Sequence, residues 1–234
     1  MINSLPLDRS SMEHMMPFSD AMVASTISGI KDQTRRIIKA SNSLCEYDFK
    51  ALDMENAKVD QGLTGGDDAY LKARHLTMGT THRIRCRYAP GDRLWVREAF
   101  AEVPGPDGAL HYLYRSDKGD FPAGIRWTNP RYMPRVASRI TLRVEAVRPQ
   151  RLQEISINDC WNEGIEYWIE DNFQMYRDYS GATDGTRSPV ESYFSLWDKL
   201  HHEVAVERVA ANPWVWRIQY SVVEIKPSTF TLVS

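Results

Sequence analysis

Trp214, Trp216, Ile218, Tyr220 and Val222 place an apolar side chain at every second position near the end of the chain, with Arg217, Gln219 and Ser221 between them. Side chains alternate between the two faces of a strand, so this run specifies a long strand with one face in a core and the other polar. A strand of that kind needs partners. Leu94 and Val96 alternate with Arg93, Trp95 and Arg97, and Ile140, Leu142 and Val144 alternate with Thr141, Arg143 and Glu145. His111 to Arg115 can pair nearby after a turn over Pro104 to Gly108. The expected fold class is α+β, a small mixed sheet or barrel with flanking helices.

The helices carry start and stop signals. Phe18, Met22, Val23 and Ile27 recur at helical spacing behind a Ser19 cap, and Gly29 fits the residue after the helix end, with a strand over Thr34 to Ile38. Ser156 and Asp159 form a capping-box pattern for a short helix that carries Cys160 and Glu163 and stops at Gly164. Ser188-Pro189-Val190-Glu191 combines a cap, a proline at the first helical position and a glutamate at the third. The stripe that follows, Val190, Tyr193, Phe194, Trp197 and Leu200, should pack on the sheet.

Gly29-Ile30-Lys31-Asp32-Gln33-Thr34-Arg35-Arg36 therefore lies at a helix-to-strand junction, with a lysine, a hydroxyl and two arginines together. Such a run is often only a solvated charged face. The octet reads G-x-K-x-x-T-x-R and resembles the signature of the ASCH family, a branch of the PUA-like fold whose common pattern is G-x-K-x-x-E-x-R. Thr34 stands where glutamate is usual, as in small bacterial ASCH proteins that act as N4-acetylcytidine amidohydrolases. Tyr88 to Glu98, Met133 to Leu142, Leu152 to Ile165 and Asn212 to Trp216 resemble the longer ASCH proteins of phages and prophages. The resemblance implies a PUA-like barrel over residues 17–226, with insertions at about 40–82 and 166–187, a variable extension at 1–16 and a tail at 227–234. It also implies a catalytic set of Lys31, Thr34 and Glu163.

Hydrolysis of an N-acyl group on a base needs a nucleophile, a proton route and stabilisation of the oxyanion. Lys31 can serve as base only if its pKa falls well below about 10.4, and burial and the charges of Arg35 and Arg36 both push it down. Lys31 as base with Thr34 as nucleophile, Lys31 attacking directly, and either residue orienting a water all fit the residues. Residues three apart on a regular strand face opposite sides, so convergence of Lys31 and Thr34 requires a turn or bulge after Gly29. Arg36 can anchor a phosphate, and Trp95 or Trp127 can stack on a base.

Charge is unevenly spread. The net value is −2, yet residues 126–151 hold seven arginines against Glu145 alone, while residues 152–204 hold eleven acids and three bases. The basic segment, with Arg135 and Arg139 and the neighbouring Arg97, suits phosphates, although pairing with the acidic segment would serve equally. The expected partner is RNA, a nucleoside or a modified DNA base. No cofactor is implied, since neither a phosphate-cradling glycine loop nor a dinucleotide fingerprint occurs, and the histidines and cysteines lack metal-ligand spacing. Cys45, Cys86 and Cys160 read as reduced thiols, and the absence of an apolar run of about 18 residues points to a cytosolic protein without a membrane span. Three readings follow: an amidohydrolase, a non-catalytic reader of RNA or modified DNA bases, and a ribonuclease.

Overall fold

The computed structural model describes residues 12–39, 50, 52–60, 70–105, 108–117, 119 and 121–228. Their elements are β1 (Glu13–Pro17), α1 (Asp20–Ile27), β2 (Gln33–Ile37), β3 (Lys58–Asp60), β4 (Tyr70–Arg74), β5 (Thr81–Ile84), β6 (Arg93–Arg97), β7 (Phe100–Pro104), β8 (Leu110–Tyr114) and β9 (Ile140–Arg151). They continue with α2 (Ile157–Asn162), β10 (Tyr167–Glu170), β11 (Phe173–Arg177), β12 (Gly185–Thr186), α3 (Pro189–Leu200) and β13 (Trp214–Ile225). The fold is mixed α+β, built mostly from strands.

The alternating run of β13 sits where its pattern demands. β13 pairs antiparallel with β9 on one side and β2 on the other, in a five-stranded sheet of order β1-β6-β9-β13-β2. Trp214, Trp216, Ile218 and Tyr220 enter a core with Leu94, Val96, Ile140, Leu142 and Val144. Val222 keeps to that face, registered with Leu142, but lies beyond the buried part of the strand and is exposed. The polar face of β13 is not wholly solvated. Val215 is fully buried in a second cluster with Leu152, Cys160, Tyr193 and Trp197, so α2 and α3 cover part of that side.

Among the described residues the sheets are open and no closed barrel forms. β1 and β2 are the two edges of the main sheet, and a side chain bridges them where a ladder would be needed: the Arg36 guanidinium donates to the Pro17 carbonyl at 3.0 Å. Three smaller sheets, β3-β4-β5, β7-β8 and β10-β11-β12, flank the main one.

Two segments expected outside the compact unit contribute to it. Glu13–Pro17 pairs in parallel with β6, and Met16 is completely buried. Residues 1–16 read as polar because the buried position, Met16, lies between the exposed Met15 and Pro17, too short an alternation to register. In the 40–82 stretch, Leu71 and Ala73 of β4 and Leu52, bridged to His75, join the main core, while 40–49, 51 and 61–69, including Cys45, lie outside the described residues. In the 166–187 stretch, Tyr176 of β11 is buried against the second cluster.

The helix signals act as read. Ser19 accepts from the Met22 amide, and α1 ends before Gly29, whose φ of +74° is a left-handed conformation open to glycine at little cost. Ser156 and Asp159 make a reciprocal capping box on α2. Ser188 caps α3, which has Pro189 in its first turn and buries Tyr193 and Trp197. Cys86 and Cys160 are free thiols. Among the described residues, no helix is long and apolar enough to cross a membrane.

Candidate functional site

The junction between α1 and β2 is pinned by its own backbone. The Ile30 and Lys31 amides both donate to the Ser25 carbonyl, the Asp32 amide donates to the Asn162 carbonyl at the end of α2, and the Asp32 carbonyl accepts from the Tyr220 amide. The C-terminal turn of α2 is thereby locked against the first residues after α1. Gly164 makes the approach possible: with φ +79°, a Cβ there would lie 2.9 Å from the Ser25 Cβ and 3.1 Å from the Lys31 Cβ.

This contact delivers Lys31 to Glu163 across 132 positions. The Lys31 ammonium donates to one Glu163 carboxylate oxygen at 2.8 Å and to the Glu163 carbonyl at 2.8 Å. Arg35 donates to the other carboxylate oxygen at 2.8 Å and reaches Asp159 at 3.0 Å. Arg217 closes the set from β13, 3.0 Å from Asp159 and donating to the Gln33 Oε1 at 3.0 Å, while the Gln33 Nε2 donates to Asp159. Three cations therefore meet two carboxylates in a site where Lys31 is 2% exposed.

Burial dominates the electrostatics of Lys31. Desolvation drives its pKa below the ordinary lysine value; the Glu163 carboxylate opposes that drift, and the Arg36 and Arg35 charges add to it. Burial pushes Asp159 up, but the Ser156 amide and the Arg35 and Arg217 charges outweigh it and hold Asp159 below the usual carboxylate range. One atom of the cluster is unsatisfied: the Arg35 Nε is buried without a hydrogen-bond partner.

Thr34 stands apart from this set. Along β2, Gln33 and Arg35 reach α2, whereas Thr34 is registered with Ile218 in the main core and accepts a hydrogen bond from Arg36 at 3.0 Å. No described hydrogen bond links Thr34 to Lys31 or Glu163. Lys31 escapes the alternation because it precedes the strand, which begins at Gln33. Arg36, expected as a phosphate anchor, is occupied as the brace between β2 and β1, also meeting the Met16 sulfur and the Arg35 carbonyl.

The expected binding residues divide in the same way. Arg139 is 5% exposed, doubly bonded to Glu98 at 2.9 and 3.0 Å, ion-paired with Asp117 and seated 4.0 Å from the Tyr114 ring centroid. Arg35 is likewise consumed by carboxylates. Both are paired within the chain, but neither pair joins residues 126–151 to 152–204: Arg139 takes Glu98 and Asp117 from outside the acidic segment, and Arg35, outside the basic one, takes Asp159 and Glu163. Trp127 packs edge-on against Phe121 at 4.9 Å and has no described ring or hydrogen-bond contact with the Lys31 cluster. Trp95, Arg97 and Arg135 come together on the surface, the two guanidinium carbons 4.7 and 5.9 Å from the Trp95 ring centroid.

Asp159, Gln33 and Arg217 belong to the cluster without having been singled out as site residues. Asp159 and Glu163 are four apart at the end of one short helix, the spacing that puts two carboxylates on one side, but the capping box already accounted for Asp159. The residues lining the two prominent clefts, one including Leu52, Met54 and Trp214 and the other Phe194 and Asp198, do not include Lys31, Arg35 or Glu163. Comparison with protein-family models, with curated proteins and with solved structures finds no match to the chain.

Proposed function

We propose that this chain is an ASCH-type, PUA-like domain that recognises a modified nucleoside and hydrolyses the N-acyl amide of N4-acetylcytidine or a substrate of that class. The observation that carries the reading is the 2.8 Å hydrogen bond between Lys31 and Glu163, two residues that the motif resemblance pairs and that 132 positions separate. The curled sheet with side-chain-bridged edges is consistent with a PUA-like barrel whose ladder does not close.

In this reading a neutral Lys31 amine, favoured by burial, accepts the proton of the attacking group, and Glu163 passes a proton to the departing cytosine amine. The overall step consumes one water and releases acetate and cytidine. Lys31 is shielded, so the base reaches it through a local opening of the junction. Thr34 takes part only if the same opening releases it from Arg36.

The test is incubation of the folded protein with N4-acetylcytidine and mass detection of cytidine. Turnover by the wild type that disappears in Lys31→Arg, whose guanidinium holds its proton above about pH 12, supports hydrolysis. A wild-type protein that binds the nucleoside and never turns it over sinks the enzymatic reading. One observation favours a non-catalytic reader instead: both Glu163 oxygens, the Lys31 ammonium and the Thr34 hydroxyl already have partners within the chain. The reader predicts that Lys31→Arg leaves nucleoside affinity within about tenfold.

A further inference from the structure

The second cluster covers only part of the outer face of the main sheet. α2 and α3 pack where β2, the first half of β13 and the end of β9 meet, and the β1-β6 side of that face carries no α-helix among the described residues, only the short 3-10 turns Pro130–Tyr132 and Arg135–Ala137 at its border. Arginines and Trp95 stand on it beside Glu13, Met15 and Thr141. Arg93 and Trp95 of β6 are registered beside Arg143 and Thr141 of β9, and Arg148, further along β9, is registered with Arg217 of the buried cluster. The loop after β8 adds Arg131, whose carbonyl accepts from Arg97 at 2.7 Å, together with Tyr132 at 69% exposure.

The charges on this face are largely unspent. Arg97, Arg143 and Arg148 have no ion pair among the described residues, Arg93 has only the Glu13 registered beside it on β1, and the Nε atoms of Arg93 and Arg97 are buried without any hydrogen-bond partner. The acids nearby are Glu13, ion-paired with Arg135 at 3.3 Å and also beside Arg93, Glu145, which accepts from Ser221, and Glu224. An arginine row that its own protein neutralises only at Arg93, next to Trp95, whose ring Arg97 and Arg135 already flank at 4.7 and 5.9 Å, matches a polyanion whose bases would take the place of Arg135 on that ring. Arg143 and Arg148 are five residues apart on β9, roughly 16 Å at the rise of a strand, so the row runs from the open face toward Arg217 at the Lys31 cluster.

We propose that the open β1-β6-β9 face binds a single strand of nucleic acid, phosphates on Arg93, Arg143 and Arg148 and a base on Trp95. The proposal rests on the nucleoside reading and extends it from the base to the strand that carries it. A duplex hides its base faces and gives Trp95 nothing to stack on, so the partner is single-stranded.

The experiment is fluorescence anisotropy with labelled single strands of about 12 nucleotides, as RNA and as DNA, and the corresponding duplex, over a series of salt concentrations. Wild type should bind a single strand more tightly than the duplex. Trp95→Ala should weaken that binding roughly 5- to 150-fold, the range of one lost base stack. Arg93→Ser combined with Arg143→Ser should lower the salt slope by about 1.4, the value for two phosphate contacts on a single strand. Equal binding of RNA and DNA supports the face as a general strand platform, and preference for one identifies the polymer. No binding at low salt, equal affinity for duplex, or affinity unchanged in folded variants overturns the proposal.

Turnover of free N4-acetylcytidine, measured on the same variants, separates the two readings. Strand binding without turnover fails the hydrolase and leaves the platform standing. Turnover without strand binding fails the platform alone.

Discussion

Lys31 and Glu163 are not equivalent members of their pair. Removing the ammonium leaves Glu163 still bonded to Arg35, whereas removing the carboxylate charge leaves Lys31 without a carboxylate partner, beside an Arg35 that keeps only Asp159. An uncompensated buried charge costs about 3–5 kcal/mol. Glu163→Gln is therefore expected to lower unfolding free energy by about that much in urea titration, and Lys31→Met by clearly less; equal losses would mean that the two cations do not share Glu163 in solution. Asp159 supplies the pH dependence. Its folded pKa is held below the unfolded value, so its contribution is fully present above the ordinary carboxylate pKa and is lost as pH falls through the folded one. Asp159→Asn should flatten stability against pH below about pH 4, at lower stability overall, which acid titration followed by circular dichroism can read.

Gly164 shows how an element boundary serves the site. Alanine there must hold a left-handed backbone and thrust a Cβ into Ser25 and Lys31, both held by the locked junction. Gly164→Ala is expected to cost about 1–3 kcal/mol and to loosen the Lys31–Glu163 contact, whereas Gly181→Ala, also at positive φ but with open space around it, should cost only the backbone term. A similar loss at both positions would show that packing against Lys31 adds nothing. At this scale the sequence was readable wherever local chemistry decides: the Ser19, Ser156 and Ser188 caps, the stops at Gly29 and Gly164, and the alternation in β6, β9 and β13. It was less readable where long-range pairing decides. β1 has a single buried residue, Met16, and nothing local announces that it will lie beside β6. The charges of Arg139 and Arg35 were plain, but Glu98, Asp117, Asp159 and Glu163 consume them from remote segments, and only the fold brings those carboxylates into reach. Lys31 and Glu163 were found together through a motif, since no periodicity spans the interval between them.

The whole molecule is organised around one sheet with a core on each side, and β13 belongs to both: Ile218 packs in the main cluster, Val215 in the one beneath α2 and α3. The Lys31 cluster lies between β2, β13 and α2, so separating the helices from the sheet would break its ion pairs and uncover Val215. The two cores should therefore unfold together. Ile218 and Leu152 are both fully buried, one in each cluster, and truncating either to alanine removes a comparable side chain. Each variant should show a single transition, coincident by tryptophan fluorescence and far-ultraviolet circular dichroism, with stability lowered by about 2–5 kcal/mol. If Leu152→Ala instead splits the transition while Ile218→Ala shifts only one part of it, the helical layer is a separate cooperative unit. The Lys31–Glu163 bond would then cross a boundary between two such units and would not lie inside one.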